Sequence, residues 1–124
     1  MHIELNKREP VYVQVVRYFK KQIASGALEA GAEIPSRREL ANQLKINPNT
    51  VQRAYKEMES IGLIQTKGNL PSTVTEDELM IREIRESLLN DAIHSFMATV
   101  RSLRMSVDDV IPLLEAREKE EESL

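Results

Sequence analysis

The sequence predicts a mainly α-helical fold with a small β-hairpin, divided into an N-terminal domain at residues 1–75 and a C-terminal two-helix region at residues 76–124. Three observations support this prediction. Apolar residues recur at helical spacings of three and four in five segments. Proline, serine, asparagine and glycine stand where these helices should begin or end. One interval carries instead two short strand-like runs separated by turn-forming residues.

The length and composition limit what the chain can be. Its 124 residues fit one domain with an appendage. It contains no cysteine, which excludes disulfides, thiolate zinc sites and cysteine nucleophiles. No stretch approaches the roughly 18 apolar residues of a membrane helix, and the N-terminus lacks a basic-then-apolar signal pattern. We therefore expect a cytoplasmic protein with no membrane partner.

The net charge of −3 conceals a contrast between the two parts of the chain. Residues 1–75 contain 11 basic and 7 acidic residues, whereas residues 76–124 contain 6 basic and 13 acidic residues. The glutamates of residues 118–122 are explained as a solvated tail, but residues 76–117 remain acidic without them. A basic N-terminal part and an acidic C-terminal part are typical of a protein whose N-terminal part binds a polyanion.

The first two helices are predicted from their ends. Pro10 opens the first helix and Gly26 ends it. Residues 28–35 form a turn with at most a very short strand, because the closing proline disfavours helix at the residue before it. Ser36, with a glutamate three residues later, forms a capping box that begins a short helix at residues 37–44. The residues that recur at helical spacing in the first helix are Val11, Val15, Tyr18, Phe19, Gln22 and Ile23, and those turned inward in the second are Leu40, Ala41 and Leu44.

The third helix has two different faces. Asn47 is a suitable N-cap, Pro48 suits the first helical position, and Gly62 supplies the stop. The core face consists of Val51, Ala54, Tyr55, Met58 and Ile61. The opposite face consists of Asn49, Gln52, Arg53 and Lys56. Amides and cations can bond base edges and neutralise phosphates, yet an ordinary amphipathic surface helix has the same pattern.

The second and third helices are joined by the tight turn Lys45–Ile46, which predicts a helix-turn-helix. Any αα-hairpin would fit this spacing. Arg37 and Arg38 favour DNA, because a helix N-terminus can approach a phosphate with both N–H groups and positive charge.

A hairpin follows the third helix. Residues 63–66 and 73–75 are strand-like, and residues 67–72 are rich in turn formers. Such a hairpin is a wing, and its tip can reach a minor groove or the flanking backbone, with Lys67 as the charge. The N-terminal domain is therefore predicted to be a winged helix-turn-helix.

The C-terminal region is predicted to be two helices that join two copies of the chain. A long helix spans about residues 79–103, and Ser106 caps a second helix in which Pro112 predicts a kink or a restart. About 45 residues in two helices cannot bury two apolar faces alone. We therefore expect a homodimer formed through residues 76–124.

Residues 10–66 resemble the winged helix-turn-helix domain of the GntR family of bacterial repressors. The resemblance rests on Pro10-Val11-Tyr12, Gln14, Ile23, Gly26, Leu28, Gly31, Ile34 to Ala41, Leu44, Ile46, Asn49-Thr50-Val51, Arg53-Ala54-Tyr55, Met58-Glu59 and Gly62-Leu63-Ile64. The short tail, with its Leu-Arg-Met-Ser turn followed by acids, is similar to the YtrA subfamily. This likeness implies a dimer that represses its own operon, often one encoding an ABC-type transporter.

The resemblance also implies which residues contact DNA. They are Ser36, Arg37 and Arg38 at the second helix, Asn47, Asn49, Thr50, Gln52 and Arg53 at the third, and Lys67 and Gly68 in the wing. Two departures matter. Many members carry arginine where Pro48 stands, which removes or moves one base contact. The usual wing has two glycines and an aromatic, whereas residues 68–74 keep one glycine and no aromatic.

No enzyme constellation is present in the sequence. His94 has no second histidine at helical ligand spacing, the four glycines form no phosphate-binding loop, and Asp108-Asp109 is explained as a pair of first-turn charges. We therefore expect no catalytic site, metal or cofactor, and no effector can be assigned.

The leading hypothesis is a homodimeric repressor that binds double-stranded DNA at a pseudo-palindromic operator. The alternative is a winged-helix protein-interaction module without nucleic-acid binding, which would need an exposed apolar patch on the third helix. A small-molecule sensor enzyme is a third hypothesis, and the absent catalytic groups weigh against it.

Overall fold

The computed structural model describes residues 2–123, which form five helices and one two-stranded sheet. The elements are α1 (Val11–Ala24), α2 (Arg37–Leu44), α3 (Pro48–Ser60), β1 (Ile64–Gln65), β2 (Thr73–Val74), α4 (Glu78–Ser102) and α5 (Val107–Glu122). The predicted fold class, mainly α with a small β-wing, is confirmed. The described chain divides into two compact units, residues 2–86 and 87–123, and the division falls within α4.

The predicted helix ends are found where local chemistry placed them. Ser36 accepts a hydrogen bond from the Glu39 N–H, and the Glu39 carboxylate accepts from the Ser36 N–H in return, which completes the capping box of α2. Asn47 caps α3 through the Asn49 N–H at 2.8 Å, with Pro48 in the first turn. These bonds satisfy amides that a helix start leaves without intrahelical partners.

The core of the first unit lies between α1, α2, α3 and the hairpin. Phe19 and Tyr55 are fully buried and meet edge to face, with ring centroids 6.0 Å apart. Val16 is also buried, although it lies outside the predicted core positions of α1. The expectation that Ile61 belongs to the core is wrong, because this residue is the C-cap of α3 and is 39% exposed.

The hairpin is shorter than the sequence predicted but has an additional neighbour. Its two strands pair Ile64 with Val74 and Gln65 with Thr73. On the other side, Glu33 forms a single antiparallel bridge with Thr73, where the sequence analysis allowed at most a very short strand before α2. The base of the wing is therefore hydrogen-bonded to the segment that leads into α2.

The first turns of α4 pack on the core of the first unit. Met80, Ile81 and Ile84 are partly buried there, and Arg85 Nε donates to the Ala24 carbonyl at 3.0 Å. A chain cut at Thr75 would lose this cover, whereas one cut at Glu86 would keep it.

The second unit contains the rest of α4 and α5. Ser106 and Asp109 form a second capping box at the start of α5. Of the predicted kink or restart at Pro112, the restart is wrong, because α5 runs continuously through this residue. Pro112 is the sixth residue of the helix and has no backbone N–H, so one hydrogen bond to the carbonyl four residues earlier is missing. The backbone hydrogen bonds on either side can keep the helix intact. Among residues 87–123, the buried apolar side chains are Val100 and Val110. No helix in residues 2–123 is long and apolar enough to cross a membrane.

Candidate nucleic-acid interface

The outer face of α3 is polar and exposed. Asn49, Gln52, Arg53 and Lys56 are exposed, and Thr50 is half-buried. On the opposite side Val51, Ala54, Tyr55 and Met58 are buried, so the core fixes which face of the helix is turned outward. The Asn47 side-chain oxygen is used by the cap, while its amide N–H groups remain available as donors.

Arg53 is held by a residue that the sequence analysis did not single out as its partner. The Arg53 guanidinium lies over the ring of Tyr12 at 3.9 Å, and Nη2 donates to the Tyr12 hydroxyl at 3.2 Å. An arginine stacked on an aromatic face keeps its charge and its remaining N–H donors while its side chain is restrained. The sequence signal was present in the Pro10-Val11-Tyr12 motif, but the pairing spans 41 residues and needs the fold.

The two adjacent arginines of α2 have different surroundings. Arg38 is exposed, and within residues 2–123 it has no ion-pair or side-chain hydrogen-bond partner. Arg37 is turned towards the protein, where Nη2 forms an ion pair with Glu59 Oε1 and the guanidinium lies 5.1 Å from the centre of the Tyr55 ring. Arg37 and Arg38 were both expected to contact DNA from the sequence, but in the described part of the chain only the Arg38 guanidinium is exposed and free of an intramolecular ion pair.

Tyr55 joins α3 to the segment before α2. Its hydroxyl donates to the Pro35 carbonyl at 2.5 Å. Burial raises the pKa of the Tyr55 phenol above its usual value, which further favours the protonated form that donates this bond. This bond orients the turn from which Ser36 and both arginines project.

The tip of the wing is exposed. Lys67 and Gly68 are open to solvent, and Gly68 has a φ of +57°, a left-handed conformation in which an L side chain is strained. The Leu70 N–H donates to the Lys67 carbonyl at 3.1 Å and closes the turn. Leu70 is 66% exposed, so this wing presents an apolar side chain followed by proline at its tip.

A groove of about 620 Å³ separates the start of α2 from the wing. Of the expected DNA-contacting residues, the groove brings together Ser36, Arg37 and Gly68. The exposed residues of α3 do not line it. Ser36, Arg37 and Gly68 therefore lie together between α2 and the wing, apart from the face of α3, whereas Arg38 and Lys67 do not line this groove. Within residues 2–123 no group of three or more histidine, aspartate or glutamate side chains could hold a metal ion.

Comparison with known proteins agrees with this architecture. The sequence model described as "Bacterial regulatory proteins, gntR family" matches residues 11–74, more than half of the chain. The HTH-type transcriptional repressor YtrA of Bacillus subtilis is 35% identical over 101 residues, which cover 74% of this chain and 78% of that protein.

Two solved structures are also similar. A GntR family transcriptional regulator from Listeria monocytogenes has a TM-score of 0.85 and 30% identity, covering 90% of this chain and 98% of that one. YtrA from Sulfolobus acidocaldarius, a GntR-family transcription factor, has a TM-score of 0.57 and 28% identity, covering 97% of both chains. Members of this family are transcriptional regulators and not enzymes. The chain thus belongs to the GntR family of bacterial regulatory proteins, in its YtrA subfamily, and is a DNA-binding regulator of transcription.

Proposed function

We propose that this protein is a cytoplasmic repressor that binds a pseudo-palindromic operator as a homodimer. The observation that carries the proposal is the outer face of α3, where amide and cationic side chains are exposed above a fully buried core face. The family membership supports DNA as the ligand, and the relative from Bacillus subtilis is named a repressor. The subfamily likeness further suggests an operon encoding an ABC-type transporter as the target.

On DNA, the exposed side chains divide by chemistry. Asn49 and Gln52 carry amides, which can bond N6 and N7 together on the major-groove edge of adenine. Arg38, Lys56 and Lys67 carry exposed charges suited to phosphates. Arg53, restrained by Tyr12, can serve a guanine edge or a phosphate. Ser36, Asn47, Thr50 and Gly68 complete the proposed contact set at the ends of α2 and α3 and in the wing. Arg37 is left out of this set because its guanidinium is paired with Glu59.

The alternative of a protein-interaction module lacks the surface that it would need. Such a module requires an exposed apolar patch on α3, whereas this face carries Asn49, Gln52, Arg53 and Lys56. We therefore propose double-stranded DNA as the partner of this face.

Dimerisation through residues 76–124 is proposed because apolar side chains in this part are exposed to solvent in a single copy of the chain. In residues 87–123 these are Leu89, Ile93, Phe96, Leu103, Met105, Val107, Ile111, Leu113 and Leu114. Exposed apolar surface of this extent is typical of interaction sites. A second copy offers an identical apolar face and, through twofold symmetry, a second α3 for the other half-site.

In-vitro selection of duplexes from a random pool tests the proposal. We expect enrichment of an inverted repeat with half-site centres about 10 bp, or a multiple of that spacing, apart. Binding should weaken steeply with salt, because each neutralised phosphate releases counterions. Recovery of no preferred sequence, or of a single half-site without symmetry, would refute a dimer on a pseudo-palindrome.

A further inference from the structure

One carboxylate at the end of α3 connects the elements that flank the groove. Glu59 Oε1 accepts from Arg37 Nη2 of α2 at 2.5 Å and from Thr66 Oγ1, just after β1, at 3.1 Å. The Thr66 hydroxyl lies 2.5 Å from the Ser72 hydroxyl, just before β2. Glu59 therefore connects α2 and α3 directly with one arm of the wing, and Thr66 extends the connection to the other arm.

Three members of this network are partly or fully buried, whereas Thr66 is exposed. The side chains of Arg37 and Glu59 are 32% and 34% exposed, and Ser72 is buried. Arg37 Nε is buried without a hydrogen-bond partner in the described chain, and its guanidinium also faces the Tyr55 ring. Hydrogen bonds between charged groups are stronger than neutral ones, so this pair can fix the side chains that it joins.

The wing needs such a connection because its own sheet is small. Each strand contributes two residues, and an isolated two-stranded hairpin is marginally stable in water. Backbone bonds from Ile34 to Ser72 and from Val74 to Ala32 anchor one side of the hairpin. On the other arm, Thr66 is joined to Glu59 through its hydroxyl.

We propose that Glu59 is a positioning residue that orders the wing for DNA, and that Arg37 acts through Glu59 whereas Arg38 acts on the DNA itself. This inference rests on the proposed function. It has an unusual consequence, because removing a negative charge from a DNA-binding surface ordinarily strengthens binding to a polyanion. Loss of the Glu59 charge is expected to weaken it.

The test compares Glu59→Gln with Glu57→Gln in the full chain, using the selected operator over a series of salt concentrations. Glu57 is an exposed carboxylate on the same helix and is the matched control for charge. We expect Glu59→Gln to lose about tenfold in affinity, the equivalent of one charge-assisted hydrogen bond, while Glu57→Gln binds as wild type or slightly tighter. Equal or tighter binding by Glu59→Gln would overturn the proposal.

A double-mutant cycle with Arg37→Gln separates positioning from direct contact. If both residues act through one pair, the double variant should bind about as weakly as either single variant, and neither should change the salt slope. If Arg37 instead contacts a phosphate, its substitution alone should reduce the salt slope by about one, and the two losses should add. That second outcome would overturn the role given to Arg37.

Hydrogen exchange without DNA keeps the inference separate from the proposed function. The Leu70 and Val74 amides, both hydrogen-bonded within or beside the wing, should exchange faster in Glu59→Gln than in Glu57→Gln. Faster exchange combined with no operator binding by the wild type would refute the proposed function alone. Unchanged exchange would refute the positioning role even if DNA binds.

Discussion

The two units of this chain use amphipathic helices in opposite ways. In residues 2–86, large side chains such as Phe19, Leu40 and Tyr55 are fully buried within one copy. In residues 87–123, Phe96 is 43% exposed and Leu113 is 61% exposed, although both recur at helical spacing with other apolar residues. Periodicity indicates which face of a helix is apolar. Whether that face is covered by the same chain or by a second copy depends on how many other helices and strands of the chain lie beside it.

The largest expected effect distinguishes the buried apolar residues of the first unit from the exposed apolar residues of the second. Phe19→Ala should lower the free energy of unfolding by about 3–5 kcal/mol, because it removes a fully buried aromatic and leaves a cavity. Phe96→Ala is the matched control and, at protein concentrations too low for association, should change it by less than about 1 kcal/mol. Urea unfolding followed by circular dichroism measures both. Equal losses would mean that Phe96 is covered within one chain and would remove the contrast between the units.

The second prediction concerns association. Phe96→Asp should raise the dimer dissociation constant by at least about 100-fold, because a charge at the centre of an apolar interface is desolvated without a partner. Ser95→Asp adds the same charge at the neighbouring exposed position and should have a much smaller effect. Sedimentation equilibrium reports the constants.

A shortened chain sharpens the same comparison. A chain ending at Glu86 should fold and sediment as a monomer, because it keeps Met80, Ile81 and Ile84 on the core and lacks the exposed apolar face. A dimer from this shortened chain would place the interface in the first unit.

Sequence reasoning succeeded where the determining contacts are local. The caps at Ser36, Asn47 and Ser106 were predicted because each bonds an amide two or three residues away. The different surroundings of Arg37 and Arg38 were not predictable from spacing, since the partner of Arg37 lies 22 residues further along the chain. The same limit applies to the stacking of Arg53 on Tyr12. The proposed contact set therefore rests on the pattern and the family resemblance, whereas the orientation of its arginines required the fold.

The next prediction tests whether DNA binding is confined to the first unit. Arg38→Ala should weaken operator binding by about 1–3 kcal/mol and reduce the salt slope by about one, the behaviour of one lost phosphate contact. Arg101→Ala removes an equal charge from an exposed position of the second unit and should leave the salt slope unchanged. Fluorescence anisotropy at several salt concentrations measures both. A wild-type slope for Arg38→Ala would remove Arg38 from the contact set.

The smallest expected effect uses the two capping boxes, one in each unit. Ser36→Ala and Ser106→Ala each remove an acceptor for a first-turn amide, the Glu39 N–H at 3.1 Å and the Asp109 N–H at 3.4 Å. Each loss should cost about 1 kcal/mol, but the readout should differ. Because α2 carries the buried Leu40, its cap contributes to the whole core, and Ser36→Ala should lower the free energy of global unfolding.

In one copy α5 buries Val110 alone among its apolar residues, so Ser106→Ala should instead fray that helix locally and accelerate amide exchange there. When the proposed dimer forms, α5 gains a covering partner, and the same substitution should then lower dimer stability as well. Hydrogen exchange at low and high protein concentration distinguishes these states. If exchange in α5 of Ser106→Ala is equally slow at both concentrations, α5 is already stabilised within a single chain, and the second unit does not depend on a partner for its order.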